Sequence, residues 1–349
     1  MGKVIIALTA DWEGLNLRGI QDFIKIRKLI GQEIPFTHFI CPGYFTKRYA
    51  PAKASLKRIK KVIYPHDEIG LHIHPYRSLI NDLEEVSLRY YPNFYKPNSF
   101  FKTIIPSFMA KRFNYFVSGR GVPISAYSEK ELTSIVEYAR ELLITRFNIP
   151  NICSFRAGGW IVNDMVFDVL EKAGFYIDSS AVPPDILNNG YSEKDPGNGQ
   201  DDHGDNNGLF TEWITELWGH QPVLKTFLHN ALILNSHDFK AINRYSQPYF
   251  IRNVLEMPTN AGMSDFASAE NTMRPVLEFG IDHIKKHPGE NFFMNTGIHQ
   301  EGLLNQKLPL LHFLQSLQPH EKEKIQFRTV SGSAEIFLGK SFSSPCSGV

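Results

Sequence analysis

The chain predicts an α/β fold: a distorted (β/α) barrel of about seven parallel strands. Three observations lead there. Short apolar runs alternate with amphipathic helical stretches along most of the sequence. The polar residues able to do chemistry stand at the C-terminal ends of those runs, where barrels gather their active groups. A length of 349 residues is ordinary for one such barrel.

Taken in order, Val4 to Ala10 is a strand that ends in Asp11-Trp12-Glu13-Gly14. Residues 18–31 carry Ile20, Phe23, Ile24, Leu29 and Ile30 at the spacing of an amphipathic helix. Phe36 to Ile40 is the second strand, 53–63 a short basic helix, and Glu68 to His74 the third strand. Ser128-Glu129-Lys130-Glu131 has capping-box spacing and opens a helix to about Phe147. Asn151 to Arg156 is a strand, Asp164 to Lys172 a helix closed by Gly174, and Phe175 to Asp178 the next strand. Apolar runs follow at 222–227, 231–234 and 250–257, then a helix at about 269–286 and the strand Asn291 to Asn295. Residues 308–317 read as helical and 325–330 as extended.

This predicts one catalytic domain over 1–340 with a C-terminal tail at 341–349. An insertion at 80–127 interrupts the repeat; it holds ten aromatics between Tyr90 and Phe116, with several basic groups and few acids. The plainest reading is a subdomain packed on the barrel; a lid, or a surface for a lipid-linked substrate, is the sharper one. Residues 184–208, rich in Asn, Asp and Gly, form a turn-rich loop, and Asp201-Asp202-His203-Gly204-Asp205 within it reads as solvated.

Hydrophobic residues at 42% and charged residues at 21% describe a globular protein with a full core. A net charge of +1 provides no global attraction to nucleic acid or to an anionic membrane. No apolar run reaches the roughly 18 residues that span a bilayer. Met1-Gly2-Lys3-Val4 runs straight into a strand without a secretory h-region, so a cytoplasmic location is expected. Cys41, Cys153 and Cys346 are too scattered for a disulfide framework; the first two read as small core residues.

On a strand, residues two apart share a face. Asp11 and Glu13 can therefore look into one cavity, and so can His72 and His74. Two imidazoles and a carboxylate suit one open-sided divalent metal, with Zn expected, and a second carboxylate is left to handle a proton. Arg156 on an apolar strand needs an acidic partner if it is buried.

Together these residues resemble the polysaccharide deacetylase family, the NodB-homology carbohydrate esterases. Thr9-Ala10-Asp11-Trp12-Glu13-Gly14 is similar to the family's first motif, an aspartate pair. Gly70-Leu71-His72-Ile73-His74 is similar to the second, Phe155-Arg156-Ala157-Gly158-Gly159-Trp160 to the third, and Ile298-His299 to the last. The resemblance spans residues 4–300. It implies Asp11 as general base and Glu13, His72 and His74 as metal ligands. It also implies Arg156 as the group that holds the base, Trp160 as a cleft wall and His299 as general acid. The chain departs from the family pattern in having Trp12 between its two acids and Tyr76 where the second histidine usually stands. Asp178 and Glu256 are the candidates for the fourth motif's aspartate. Tyr76 and Asn295 are expected to bind substrate, and Glu301 is a candidate to orient His299.

The activity this implies is metal-dependent hydrolysis of an N- or O-acetyl group on a sugar or glycan precursor, a carbon–nitrogen bond other than a peptide in the first case. The substrate would be an acylated sugar, a sugar nucleotide or a lipid-linked glycan. Two alternatives stand beside it: a deformylase or cyclic-amide hydrolase on the same barrel, and a non-catalytic carbohydrate-binding barrel.

Overall fold

In the computed structural model, residues 2–14, 16–47, 51–88, 122–160, 162–183, 186, 242–264, 267–304 and 309–342 are described. The strands are β1 (Val4–Trp12), β2 (Thr37–Ile40), β3 (Glu68–Ile73), β4 (Ser154–Ala157), β5 (Ile177–Asp178), β6 (Tyr249–Ile251), β7 (Val254–Glu256), β8 (Phe292–His299) and β9 (Ile325–Arg328). All nine residues of β1 are buried, as a run of small and branched apolar side chains in a parallel sheet requires. β8 pairs with one edge of β1 from Val4 to Asp11. The other edge is shared: β9 takes Val4–Ala7 and β2 takes Thr9–Trp12. From β2 the parallel ladder continues through β3, β4 and β5 to β7.

The sheet then curls until residues 260–264 return to β8. The Ala261 N–H donates to Asn295 O at 3.0 Å, and the Ser264 N–H to Gly297 O at 2.8 Å. A parallel bridge joins Met263 to Gly297. Lower on this seam two amide side chains stand in for a strand. Asn260 accepts from the Asn295 N–H and donates to Phe293 O, at 2.9 Å in both cases. Gln247 accepts from the Phe293 N–H at 2.7 Å. The result is the distorted (β/α) barrel that the alternation of strands and helices predicts. The 250–257 run folds as a hairpin, β6 antiparallel to β7, with Arg252 at φ +56° in its turn.

The helices on the outer face are α1 (Ile20–Ile30), α2 (Ala52–Ile59), α3 (Glu129–Phe147), α4 (Asp164–Lys172), α5 (Arg274–Lys286) and α6 (Pro309–Ser316). α3 begins at the expected capping box: Ser128 accepts from the Glu131 N–H, and the Glu131 carboxylate from the Ser128 N–H. Its buried face is Leu132, Ile135, Val136, Ala139 and Leu143, each apolar side chain contributing about 1.5–3 kcal/mol for the larger ones. In α1 the buried face is Ile20, Phe23, Ile26 and Ile30, while Leu29, expected on that face, is 66% exposed. The expected helix at 269–286 begins with a π turn, Ala269–Met273, capped by Ser268.

A further helix, α7 (Val330–Leu338), closes the N-terminal end of the barrel. Val330 and Ala334 pack with Ile5, Ala7, Phe39, Ile177, Leu255, Met257 and Phe293 inside it. The Glu68 carboxylate at the foot of β3 accepts from the Ser331 N–H at 2.9 Å and from Thr37 Oγ1 at 3.0 Å. A negative charge at a helix N-terminus is favourable. The expected insertion lies mostly outside the described residues, at 89–121. So do 184–208 apart from Ile186, the runs at 222–227 and 231–234, and the tail from 343 onward.

Cys41 is a free, buried thiol, pushed by burial up to about 12. Cys153 is buried and disulfide-bonded.

Beneath α1 a buried polar chain supports β1 from outside. Trp12 Nε1 donates to His38 Nδ1 at 3.1 Å, and His38 Nε2 donates to Asp67 Oδ2 at 3.1 Å. Asp67 also accepts from Arg27 Nη2 on both of its oxygens, at 2.9 and 3.0 Å, and from the Phe36 and Tyr64 N–H groups. Burial pushes the Asp67 carboxyl up, but His38, Arg27 and the Tyr64 N–H outweigh it and hold it below the usual carboxylate range. Burial holds His38 below the ordinary imidazole value, against the pull of Asp67. A proton on Nδ1 would also set a donor against the Trp12 N–H.

At pH values between about 6.5 and that depressed value, the unfolded chain binds a proton at His38 that the folded chain refuses. Stability therefore falls as pH falls. Urea midpoints should decline from pH 7 to pH 5, and His38→Gln should flatten the decline. An unchanged slope would mean that His38 titrates alike in both states.

Candidate active site

The C-terminal rim of the barrel is where the chemistry-bearing side chains meet. β3 presents Gly70, His72 and His74 inward. A Cβ at Gly70 would lie 2.6 Å from the Phe39 ring and 2.7 Å from Ser154 Oγ, so this glycine is required by interior packing. His72 is buried, and its Nδ1 lies 2.9 Å from the Arg156 carbonyl. A carbonyl can only accept, so Nδ1 carries the proton and the Nε2 lone pair faces the site. His74 stands edge-on to His72 with ring centroids 4.9 Å apart.

Glu13 comes one residue after β1 and precedes Gly14, whose φ of +79° turns the chain away from the rim. Its Oε1 is 3.3 Å from His72 Nε2 and its Oε2 is 2.8 Å from His74 Nε2. One ligand atom from each of Glu13, His72 and His74 lies within 4.8 Å of the others. Ligands at about 2.0–2.1 Å from a tetrahedral zinc are roughly 3.3–3.4 Å apart, so the Glu13–His72 edge already has that length. His72 Nε2 is buried with no hydrogen-bond partner among the described residues. A buried lone pair left open, beside a second imidazole and a carboxylate, fits a divalent ion of the zinc type.

Beneath this triad lies Asp11, fully buried, with Arg156 beside it. Arg156 Nη1 donates to Asp11 Oδ1 at 2.6 Å and to Thr9 Oγ1 at 3.0 Å. Nη2 donates to Ser179 Oγ and Thr259 Oγ1, and Nε to the Ser179 carbonyl, all at 2.9–3.0 Å. Every N–H of the guanidinium is satisfied, and its plane lies 4.3 Å from the Phe39 ring centroid. Asp11 Oδ2 has no hydrogen-bond partner among the described residues. It lies 3.9 Å from His299 Nε2, which is 3.6 Å from Glu13 Oε1. Trp160 meets the His299 ring edge-on at 5.6 Å. Gly159 and Trp160 both have positive φ, +67° and +55°, a tight reversal that sets the indole over the rim.

Asp11, Glu13, His72, His74, Arg156, Trp160 and His299 thus converge. The remaining expectations need correcting. Tyr76 is fully buried and donates its hydroxyl to the Glu13 carbonyl at 2.9 Å, which makes it a support for Glu13 rather than a substrate contact. Asn295 pairs in register with Ala7, four residues below His299, and donates to Ser179 Oγ at 2.8 Å within the barrel wall. Asp178 and Glu256 alternate with Ile177 and Leu255, which face the interior, so both acids face outward. Burial and the neighbouring Asp178 push the Glu256 carboxyl well above the usual range. Glu301 accepts from Tyr44 and from the Glu13 N–H, at the base of the Glu13–His72–His74 cluster. Ser179, Thr9 and Thr259, which saturate Arg156, escaped the sequence reading. Their signal was weak: Thr9 sits two residues before Asp11, and Ser179 follows the fifth strand.

Neither a protein-family model nor a curated protein matches the sequence. Among solved structures the chain is similar to a Mycobacterium smegmatis protein assigned to the polysaccharide deacetylases: 13% identity, 99% of this chain and 96% of that one covered, TM-score 0.46. It is similar to the peptidoglycan deacetylase PdaC of Bacillus subtilis, at 11% identity over 97% and 93% of the two chains, TM-score 0.38. It is also similar to a 4-alpha-glucanotransferase of Thermococcus litoralis, at 11% identity over 100% and 43%, TM-score 0.45.

A Cβ at Gly158 would lie 2.6 Å from the His74 ring and from the Ile73 carbonyl. Gly158→Ala should therefore displace His74 and destabilise the fold by about 1–3 kcal/mol. Zinc titration of the variant should show weakened binding; unaltered affinity would place His74 outside the ligand set.

Proposed function

We propose that this chain is a metal-dependent hydrolase that removes an N- or O-acetyl group from a sugar or glycan precursor. The observation that supports this reading is the meeting, at one barrel rim, of the Glu13–His72–His74 triad with Asp11 and His299. Glu13, His72 and His74 would hold the ion. A divalent ion there supplies Lewis acidity, polarising a carbonyl oxygen and easing the deprotonation of water.

The chain's own residues handle the protons. Arg156 occupies Asp11 Oδ1, leaving Oδ2 as the acceptor for a proton from the attacking water. His299 Nε2, across the gap, delivers a proton to the leaving nitrogen or oxygen. Water and an N-acetyl sugar become acetate and a free amine, with no other reactant. General acid–base assistance of this kind is worth roughly 10²–10⁴-fold. Leaving-group protonation matters most for an amide, because an amide anion is a very poor leaving group. Trp160 would form one wall of the cleft. The barrel over 1–340 would act as one catalytic domain, with the 80–127 insertion as a source of substrate selectivity.

Among the described residues no helix is long and apolar enough to cross a membrane. Acylated sugars, sugar nucleotides and lipid-linked glycans all remain in the proposed substrate class.

The test is acetate release from a panel of acetylated sugars, with and without a chelator; release that ignores the chelator would sink the metal-dependent reading. Asp11→Asn should keep zinc while turnover drops at least 10²-fold or so. Melting is measured alongside, because the substitution leaves the buried Arg156 charge without its carboxylate. Glu13→Gln should lose zinc, and equal zinc loss in both variants would show the two acids misassigned. His299→Ala should harm amide substrates more than activated esters; equal harm would remove its part as proton donor.

A further inference from the structure

The acids of this chain are separated by Trp12, and the second acid is Glu rather than Asp. Both features loosen the carboxylate. Glutamate has one more rotatable bond, and Glu13 lies beyond the last ladder contacts of β1. Those contacts are the Cys41 N–H to Trp12 O and the Gln300 N–H to Asp11 O, at 2.9 Å each. Side chains hold the next peptide groups. The Glu13 N–H donates to Glu301 Oε2 at 3.2 Å, and the Glu13 carbonyl accepts from Tyr76 Oη at 2.9 Å.

Both supports are themselves braced. The Tyr44 hydroxyl donates to Glu301 Oε1 and lies 3.0 Å from Gln300 Oε1. Burial and the neighbouring Glu301 charge hold the Tyr44 hydroxyl well above its ordinary value, so it stays a donor. Tyr76 is fully buried, with Lys47 Nζ 5.0 Å from its ring centroid, and a Cβ at Gly43 would come within 2.8 Å of that ring. The ring therefore has little room to swing its hydroxyl away from Glu13. Lys47 in turn donates to the Gly14 carbonyl, fixing the next residue of the turn.

The geometry points to Glu301 and Tyr76 as positioning residues that clamp the Glu13 backbone from both sides and so hold its carboxylate against His72 and His74. This rests on the metal reading above. A free strand end would let the carboxylate sample several rotamers, and ordering them on metal binding would cost affinity. Outer contacts that orient ligands commonly govern metal affinity by about 10–100-fold.

The test is a zinc titration of the full chain in competition with a chromogenic chelator, with melting curves of each metal-free variant. Tyr76→Phe removes one hydroxyl and keeps the ring; Glu301→Ala removes the other jaw. Each should weaken zinc binding about 10–100-fold. Glu301→Gln keeps an acceptor oxygen for the Glu13 N–H and should recover most of the affinity, a rescue that general destabilisation would not produce. Should Glu301→Ala fail to fold, Tyr76→Phe decides. Wild-type affinity in folded Tyr76→Phe overturns the clamp and leaves the zinc site standing. A wild-type chain that takes up no zinc, or Glu13→Ala binding as tightly as wild type, overturns the metal reading itself.

Discussion

A guanidinium sealed from water inside the barrel is the constraint on which the site depends. Stripping such a charge of solvent costs several kcal/mol unless its donors are all met and a countercharge is close. Arg156 reaches that state with Asp11 and Thr9 from β1, Ser179 from beyond β5, and Thr259 from beyond β7. Four separate stretches of chain must therefore arrive at one height in the barrel. The same arrangement fixes the reactive geometry. With Oδ1 of Asp11 engaged by the cation, Oδ2 is left toward His299 and the triad above.

β1 carries two polar networks on opposite faces. Inward, Asp11 joins Arg156; outward, Trp12 joins His38, Asp67 and Arg27. Because strand faces alternate, the intervening indole is what returns Glu13 to the face of Asp11. Trp12 is thus not an idle spacer: it anchors the end of the strand in the outer core while its neighbours face the cleft. A longer acid placed one residue further along can still reach both imidazoles.

The parts of this site that follow strand periodicity were legible in the sequence. Asp11 with Glu13, and His72 with His74, needed only a period of two, and a buried arginine needed an acid. What escaped depends on height and register. Asn295 and His299 lie on the same strand face, and one is in the wall while the other is at the rim; the difference emerges only from their pairing with Ala7 and Asp11. Tyr76 follows the histidines closely, but the turn after β3 buries it. Helix α7 was unreadable for another reason. Its sequence, with Gly332 and two serines in the first turns, is a poor isolated helix former. It is helical where Glu68 and Thr37 receive its N-terminus and the barrel interior receives Val330 and Ala334.

The central strand draws its neighbours from opposite ends of the polypeptide: β2 follows it closely, whereas β8 and β9 arrive near the close of the sequence. Closing so long a loop is entropically slow, and topologies rich in distant pairings fold late and cooperatively. His299 rides on β8, so the gap between it and Asp11 cannot form before that pairing zips up. In the proposed reading, Glu13, His72 and His74 beside β1 and β3 can assemble early, whereas the Asp11–His299 pair marks the finished molecule. A partly folded chain would therefore be capable of capturing an ion while still being inert.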